Sequence, residues 1–318
     1  MANATLLDVA AAKNTDQVVG LIEENLIYAP EFNVLPFRTV KGTSFDTFKR
    51  TGFPTVGFRS ANGGITPSKS TLTRGQVACA ILGGVIQFDR AVGMAYEQGM
   101  AAFEMLEADG VMKAALQTFG RQMFYGISND AKGFPGMKAF TPKANAATCL
   151  SSGGSDADVQ TSVYAVCFGE KFAQGILGQD SVIDLPPFRD ENFLDADSKV
   201  VPGRVSELNG WVGLALNHAD CVKRLCNVGQ DTETGDTLTD SKLADLLDLF
   251  PVGMVPNAIF MSRRSRKQLQ KSRTVTLMGQ GKGQGARPDQ SNIAPIPTEY
   301  DGIPIIATDS ILNTDAVE

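Results

Sequence analysis

Apolar residues recur at helical spacing in two segments of the first half of the chain. The earlier segment follows the helix-start pattern Asn14-Thr15-Asp16-Gln17, and Pro30 ends it. Its apolar positions are Val18, Leu21, Ile22 and Leu26. The later segment, Glu104 to Tyr125, carries one apolar stripe formed by Met105, Met112, Leu116, Phe119 and Met123. The spacing predicts a short helix and then a helix roughly 33 Å long that Gly126 ends.

Residues 41–76 have a different character, with six glycines, two prolines and few aliphatic residues. Polar and apolar residues alternate around Phe45 and again from Ile65 to Thr73, and the turn signal Asn62-Gly63-Gly64 lies between them. This pattern predicts a long two-stranded arm. Because the arm has too little apolar surface for a core of its own, we expect it to lie on another surface.

The remaining segments alternate between short strands, helices and loops, which predicts an α+β fold. The strands are expected at 32–37, 162–168, 173–177, 200–205, 211–216, 255–261 and 303–308. Helices are expected at 241–250, capped by Asp240, and at 262–272, and loops at 130–154, 180–197 and 279–288. The loop at 180–197 is acidic, and the helix at 262–272 is basic.

Composition narrows the function classes. The chain has 318 residues, is 43% hydrophobic and carries a net charge of −6, so neither wholesale disorder nor a dedicated nucleic-acid binder is expected. The first residues lack a basic region before an apolar stretch, and the longest apolar run, 77–88, is too short to span a bilayer. We therefore expect the protein to fold in a cytoplasm.

The few residues that could carry catalysis or hold a metal point to neither. The single histidine, His218, excludes multi-histidine metal sites, and we interpret it as a structural polar residue. The five cysteines are scattered and contain no Cys-x-x-Cys, which predicts buried free thiols in a reduced compartment, although a helix would bring Cys221 and Cys226 near each other. No catalytic motif occurs, so the sequence predicts no enzyme activity, no cofactor and no metal.

Two basic segments and a glycine loop are the candidate sites. The arm carries Lys49, Arg50, Arg59, Lys69 and Arg74, and the basic helix carries Arg263, Arg264, Arg266, Lys267, Lys271 and Arg273. The basic helix is either a solvated face balanced by acidic loops or a contact with phosphates or a neighbouring subunit. Separation of this charge from the acidic segments 180–197 and 231–248 favours head-to-tail self-association.

The glycine loop is formed by Gly279, Gly281, Lys282, Gly283 and Gly285. In a Walker loop the lysine precedes Ser or Thr at a helix start, whereas Lys282 precedes Gly283. We interpret the segment as a flexible surface loop, which disfavours a nucleotide-dependent enzyme.

The order of these segments resembles the major capsid proteins of tailed bacteriophages with the HK97-type fold. The resemblance rests on the basic hairpin 41–76 (the E-loop of that family), on the long helix ending Gln122-Met123-Phe124-Tyr125-Gly126, and on Gly133-Phe134-Pro135-Gly136-Met137. It continues in Ile259-Phe260-Met261-Ser262-Arg263-Arg264-Ser265-Arg266 and in Tyr300-Asp301-Gly302-Ile303-Pro304-Ile305. Two departures exist: the β segments at 160–216 come before the axial section, as in the permuted variant of some short-tailed phages, and no scaffold-like domain precedes the arm.

The resemblance implies an α+β HK97-like capsid fold with an N-terminal arm (1–40), an E-loop (41–76), a P-domain with its spine helix (77–220) and an A-domain (221–318). It implies a structural protein that self-assembles as pentamers and hexamers into an icosahedral shell around packaged double-stranded DNA, with an encapsulin-type nanocompartment shell as the alternative. The implied partners are other copies of the chain, a separate scaffolding protein, a portal, a cement or decoration protein and non-specific DNA, with no membrane. The protein would lie in the virion capsid after assembly in the host cytoplasm, with the glycine loop near the capsomer axis.

Overall fold

The structure, a computed structural model, describes residues 5–7, 16–179, 183–230, 236–280 and 294–318. Its helices are α1 (Asp16–Asn25), α2 (Arg90–Ala95), α3 (Met100–Tyr125), α4 (Met137–Phe140), α5 (Asp240–Asp248) and α6 (Arg263–Gln280). The first seven strands are β1 (Phe37–Thr39), β2 (Ser44–Gly52), β3 (Thr71–Ala78), β4 (Ala80–Asp89), β5 (Cys149–Ser151), β6 (Thr161–Val166) and β7 (Ala173–Leu177). The other seven are β8 (Ile183–Asp184), β9 (Arg189–Leu194), β10 (Val200–Leu216), β11 (Val222–Val228), β12 (Ala258–Met261), β13 (Glu299–Tyr300) and β14 (Ile303–Ala307).

The first sheet is organised around β10, its longest strand. The order is β1-β7-β10-β4, and β8 and β9 also pair with β10. β4 lies antiparallel to β10 from Gly203↔Asp89 to Val212↔Ala80. One face of this pair packs against α3, where buried Ile86 and Leu208 join the core.

The second sheet has the order β13-β14-β12-β6-β11-β5. Every residue of β6, β11 and β12 is buried, so these strands are covered on both faces. Leu243 and Leu246 of α5 and Leu269 of α6 belong to the same core. Strands from before and after residue 220 meet in this sheet, and the predicted domain borders stay a prediction.

The long helix α3 joins the two sheets. Four of the five predicted stripe residues, Met112, Leu116, Phe119 and Met123, are buried, whereas Met105 is exposed, which corrects the expectation for that residue. Phe119 stacks near Phe32, and Phe124 stacks near Tyr164 and Phe260 of the second sheet. Gly126 ends the helix as predicted, with a φ of 58° that favours glycine.

Several strand predictions need correction. The strands expected at 200–205 and 211–216 are one strand, because Asn209 and Gly210 continue the ladder to β4 and β8. The acidic loop at 180–197 contains β8 and β9, and the loop at 130–154 contains α4 and β5. β11 was not predicted, and residues 32–37 form a 3-10 turn at Pro30–Asn33 before β1 rather than a strand.

Helix ends also differ from the predictions. The cap of α5 is Thr239, whose hydroxyl accepts a hydrogen bond from the Lys242 amide, and not Asp240. The basic helix α6 extends to Gln280, so Gly279 lies in the helix rather than in a loop. In the part of the chain that the structure describes, no helix is both long and apolar enough to cross a membrane.

Candidate interaction surface

The arm is a two-stranded antiparallel ribbon formed by β2 and β3. Its register runs from Ser44↔Ala78 to Gly52↔Thr71, with an irregularity between Arg50 and Gly52. Phe45 and Val77 pack at its base beside Trp211, whereas Phe48 and Leu72 on the opposite face are exposed. The predicted two-stranded arm is therefore confirmed, and one of its faces has no partner among the described residues.

Beyond the ribbon, residues 53–70 form a tip without regular strand structure. The Ser68 hydroxyl lies between the two passing segments, accepting from the Thr55 amide at 2.8 Å and donating to the Thr55 carbonyl at 3.2 Å. A turn with Asn62 at a φ of 67° closes the end. Phe53, Val56 and Phe58 are 83%, 88% and fully exposed, so the tip is not packed on its own subunit.

The predicted basic residues of the arm lie together on this structure. Lys49 pairs with Thr73 in the ribbon, Lys69 is exposed in the tip, and the Arg59 guanidinium donates to the Gly63 carbonyl at 3.1 Å. Arg50 lies 6.0 Å from the centre of the Phe53 ring. Arg74 donates to Asp46 at 2.5 Å, and this hydrogen bond raises the pKa of the exposed Arg74.

The basic helix α6 uses much of its charge inside its own subunit. Arg273 is held by both carboxylate oxygens of Asp240, Arg264 donates to the Val159 carbonyl at 2.6 Å, and Arg263 lies 3.6 Å from Asp309. Burial lowers the pKa of Arg264. Lys267 and Lys271 are exposed and Arg266 is half-buried, so these three lie on the more accessible face. Of the glycine loop, Gly281, Lys282, Gly283 and Gly285 lie outside the described residues.

A groove of about 800 Å³ separates the base of the arm from the loops at 170–171 and 217–220. Phe45, Phe48 and Phe53 line one wall. His218 lies on the other, where its Nδ1 accepts from the Asp220 amide at 3.1 Å. This contact agrees with the structural role predicted for His218, and no nucleophile stands beside it among the described residues.

The sequence analysis missed a buried polar cluster beneath the second sheet. The Arg224 guanidinium, 1% exposed, holds both carboxylate oxygens of Glu318 at 2.7 and 2.8 Å and also donates to Ser162. Lys138 adds an ion pair to Glu318 at 2.6 Å. Burial of Glu318 opposes ionisation, but the hydrogen bonds from Arg224 and Lys138 outweigh it and leave the pKa of Glu318 below its usual value. The apolar run around Arg224 was a usable signal, because a charge there requires a partner.

The cysteines are buried free thiols, as predicted. The expected approach of Cys221 to Cys226 along a helix is wrong, because this segment forms β11 and Cys226 instead neighbours Cys149 of β5. Across the described ranges, no group of three or more His, Cys, Asp or Glu residues could hold a metal ion.

Comparison with known proteins identifies the relatives of this chain. A family model described as major capsid protein GP7 matches residues 34–317. A chain in the near-atomic-resolution structure of bacteriophage Epsilon15 has a TM-score of 0.66 at 18% identity, over 88% of this chain and 86% of that one. This likeness confirms the predicted fold class, an α+β HK97-like capsid fold.

Two further solved structures are more distant. The procapsid of bacteriophage JBD30 matches with a TM-score of 0.44 and 9% identity, over 92% of this chain and 96% of that one. The SrpI encapsulin of Synechococcus elongatus PCC 7942 matches with a TM-score of 0.42 and 7% identity, over 64% of this chain and 88% of that one. No curated protein matches the sequence.

Proposed function

Because this chain belongs to the major capsid protein GP7 family, we propose that it self-assembles as pentamers and hexamers into an icosahedral shell around packaged double-stranded DNA. Its place is the virion capsid, and its role in that family is structural. The proposal includes assembly in the host cytoplasm. The alternative, an encapsulin-type nanocompartment, has a distant fold relative in its favour and no feature of this chain.

The exposed arm carries the proposal. Full burial of a large apolar side chain contributes about 1.5–3 kcal/mol, and Phe53, Val56 and Phe58 gain almost none of it within the monomer. A long hairpin that buries so little is stabilised when it lies on another molecule. A second copy of the chain is the natural partner, because a shell repeats one contact many times.

Charge supports the same assignment. No acidic residue occurs between Asp46 and Asp89, while Arg50, Arg59 and Lys69 are exposed on the arm. The acidic strands β8 and β9 lie on the body. A basic arm that meets an acidic body defines a head-to-tail contact, since each subunit offers both surfaces.

The remaining partners are part of the proposal. We assign to the chain a separate scaffolding protein, a portal, a cement or decoration protein and non-specific contact with DNA, for which Arg266, Lys267 and Lys271 are the candidate phosphate contacts. The segment 281–285 would lie at the capsomer axis, where glycines adopt φ angles of either sign and fit both pentamers and hexamers. A density map with this segment at the capsomer rim would refute that position.

Electron microscopy of the expressed protein tests the proposal. Wild-type chain, with a scaffold supplied where needed, should form closed shells, and shells from infected cells should hold double-stranded DNA rather than a protein cargo. Deletion of Gly52–Gly64 should leave a monomer that unfolds cooperatively yet forms no shells. Loss of cooperative unfolding in that variant would mean that the arm belongs to the monomer core and would contradict its assembly role.

A further inference from the structure

The first sheet ends in an open strand. β4 runs for ten residues, Ala80–Asp89, and in the described part of the chain its strand partner is β10 alone. Its other edge therefore presents unpaired N–H and C=O groups, the arrangement on which a further strand can add. Ile81 and Val85 are 63% and 66% exposed, and β4 has no charged residue before Asp89. Nothing on the strand itself discourages pairing.

A hollow of about 140 Å³ opens beside the start of this strand. Leu82, Phe119, Phe134 and Val212 give it apolar walls, and Thr118 stands exposed at its rim. The Gln122 amide on the wall is satisfied by the Asp130 and Phe134 carbonyls at 3.1 and 2.9 Å. An apolar cavity of about 150 Å³ accommodates benzene, so this hollow is the size of one phenyl ring.

The arm tip is a second backbone segment without a ladder. Within residues 53–70, the Thr55 amide bonds a side chain and the Gly63 amide bonds the Ser60 carbonyl. The tip does not serve its own β4, because β3 passes into β4 through Cys79 alone and about 30 Å of strand separates Thr71 from Ala80. The full exposure of Phe58 agrees with this separation.

The charges of the two segments are complementary. The tip is basic, through Arg59 and Lys69, and contains no acid. On the outer face of the first sheet, Glu207 lies directly opposite Val85, and Asp184 lies one strand further away, opposite Asn209. Arg189 bridges Glu207 and Glu191, which leaves this face with an excess of acids.

We propose that the open edge of β4 accepts the arm tip of a second copy of this chain as an added strand, with the Phe58 ring of the tip in the hollow lined by Phe119 and Phe134. The inference rests on the proposed function and specifies the receiving surface of the arm. Backbone pairing would supply the attachment, and the ring in its hollow would fix the register.

Cysteine cross-linking between subunits tests the location. The five native thiols are buried, so chains with Thr118→Cys and differently tagged chains with Gly57→Cys can be mixed, assembled and treated with a short bis-maleimide. Shells should yield a heterologous dimer that unassembled chains do not yield. Normal shells without this product would overturn the inference, and so would a product between two Thr118→Cys chains, which would indicate β4 edges paired with each other. Failure of wild-type chain to form shells would instead refute the proposed function.

Substitution of the ring tests its role. Phe58→Ala should lower the yield of closed shells about tenfold, as expected when a ring leaves a matched hollow. Phe48→Ala, which removes an exposed ring from the ribbon outside the tip, should stay within about twofold of wild type. Equal yields from the two variants would overturn the assignment of Phe58 to the hollow.

Discussion

The arm and the second sheet are built from the same residue types but differ in what their strands contact. In β6, β11 and β12 every residue is buried, whereas in the tip at 53–70 even phenylalanine and valine side chains are exposed. The sheet is therefore stabilised within one subunit. The arm has its apolar side chains and its backbone groups available for contacts that form only on assembly.

The ion pairs of the two regions differ in the same way. Arg74 and Asp46 on the arm meet in solvent, where a pair contributes about 0–1 kcal/mol. Arg224 and Glu318 meet beneath the second sheet, where an unpaired charge would be costly. Loss of a partner should consequently unfold the body but leave the monomer almost unchanged when it occurs on the arm.

The largest expected effect on the monomer is therefore that of Arg224→Ala. It removes the guanidinium that holds Glu318 and leaves that carboxylate half-buried beside Asp315, so the free energy of unfolding should fall by about 3–5 kcal/mol. Denaturant unfolding measures the loss. Arg74→Ala is the matched control, with an expected change below about 1 kcal/mol. Comparable losses from both variants would contradict the difference between the two regions.

Sequence patterns predicted the arm better than the second sheet. Alternation and the Asn62-Gly63-Gly64 turn specify a hairpin locally, and β2 and β3 pair as expected. β11 escaped prediction because Lys223 and Arg224 interrupt its apolar run, and their partners, Asp220 and Glu318, lie in other parts of the structure. The continuity of β10 was missed for a related reason, since pairing with β4 carries the strand through Asn209 and Gly210.

The candidate sites were predictable only by their charge. The basic residues of the arm were identified, but which of the α6 arginines serve their own subunit depends on long-range partners such as Asp240 for Arg273. The open edge of β4 and the hollow beside it left no local signal, because both depend on which strands and loops are neighbours in the fold. Contacts between distant segments are what a single sequence does not reveal.

A smaller, pH-dependent effect is expected from Glu31, which anchors the N-terminal segment to the body. Its carboxyl is fully buried and accepts hydrogen bonds from Thr308 at 2.8 Å and Ser310 at 2.5 Å. Gly120 leaves room for this approach, since a Cβ there would lie 2.2 Å from the carboxyl oxygen. Burial raises the pKa of Glu31 above its ordinary 4.5 despite these hydrogen bonds, and the nearby Asp309 adds to the rise.

A raised pKa means that the folded state keeps the Glu31 proton longer than the unfolded state does. Its contribution to stability is thus complete below about pH 4.5 and is lost as the pH rises through the pKa of the folded state. Glu31→Gln should remove this loss, so its free energy of unfolding should gain on wild type with rising pH. Glu23→Gln, an exposed change on α1, should follow the wild-type profile. Parallel profiles for wild type and Glu31→Gln would show that Glu31 does not titrate in this range.

The smallest effect on the monomer, and a clear one on assembly, is expected from charge reversal in the arm. Arg59 and Lys69 are exposed, so Arg59→Glu with Lys69→Glu should change monomer stability by less than about 0.5 kcal/mol. Each contact with an acidic body contributes about 0–1 kcal/mol, but a shell repeats the contact at every interface. Light scattering should therefore show slower assembly, and wild-type assembly should slow as salt is raised from about 0.05 to about 0.5 M while the variant responds less. The matched reversal Lys199→Glu, in an exposed loop of the body, should leave the salt response intact. If wild-type assembly kinetics do not change over this range, charge does not guide the arm to its neighbour, and apolar contact and strand pairing hold it there instead.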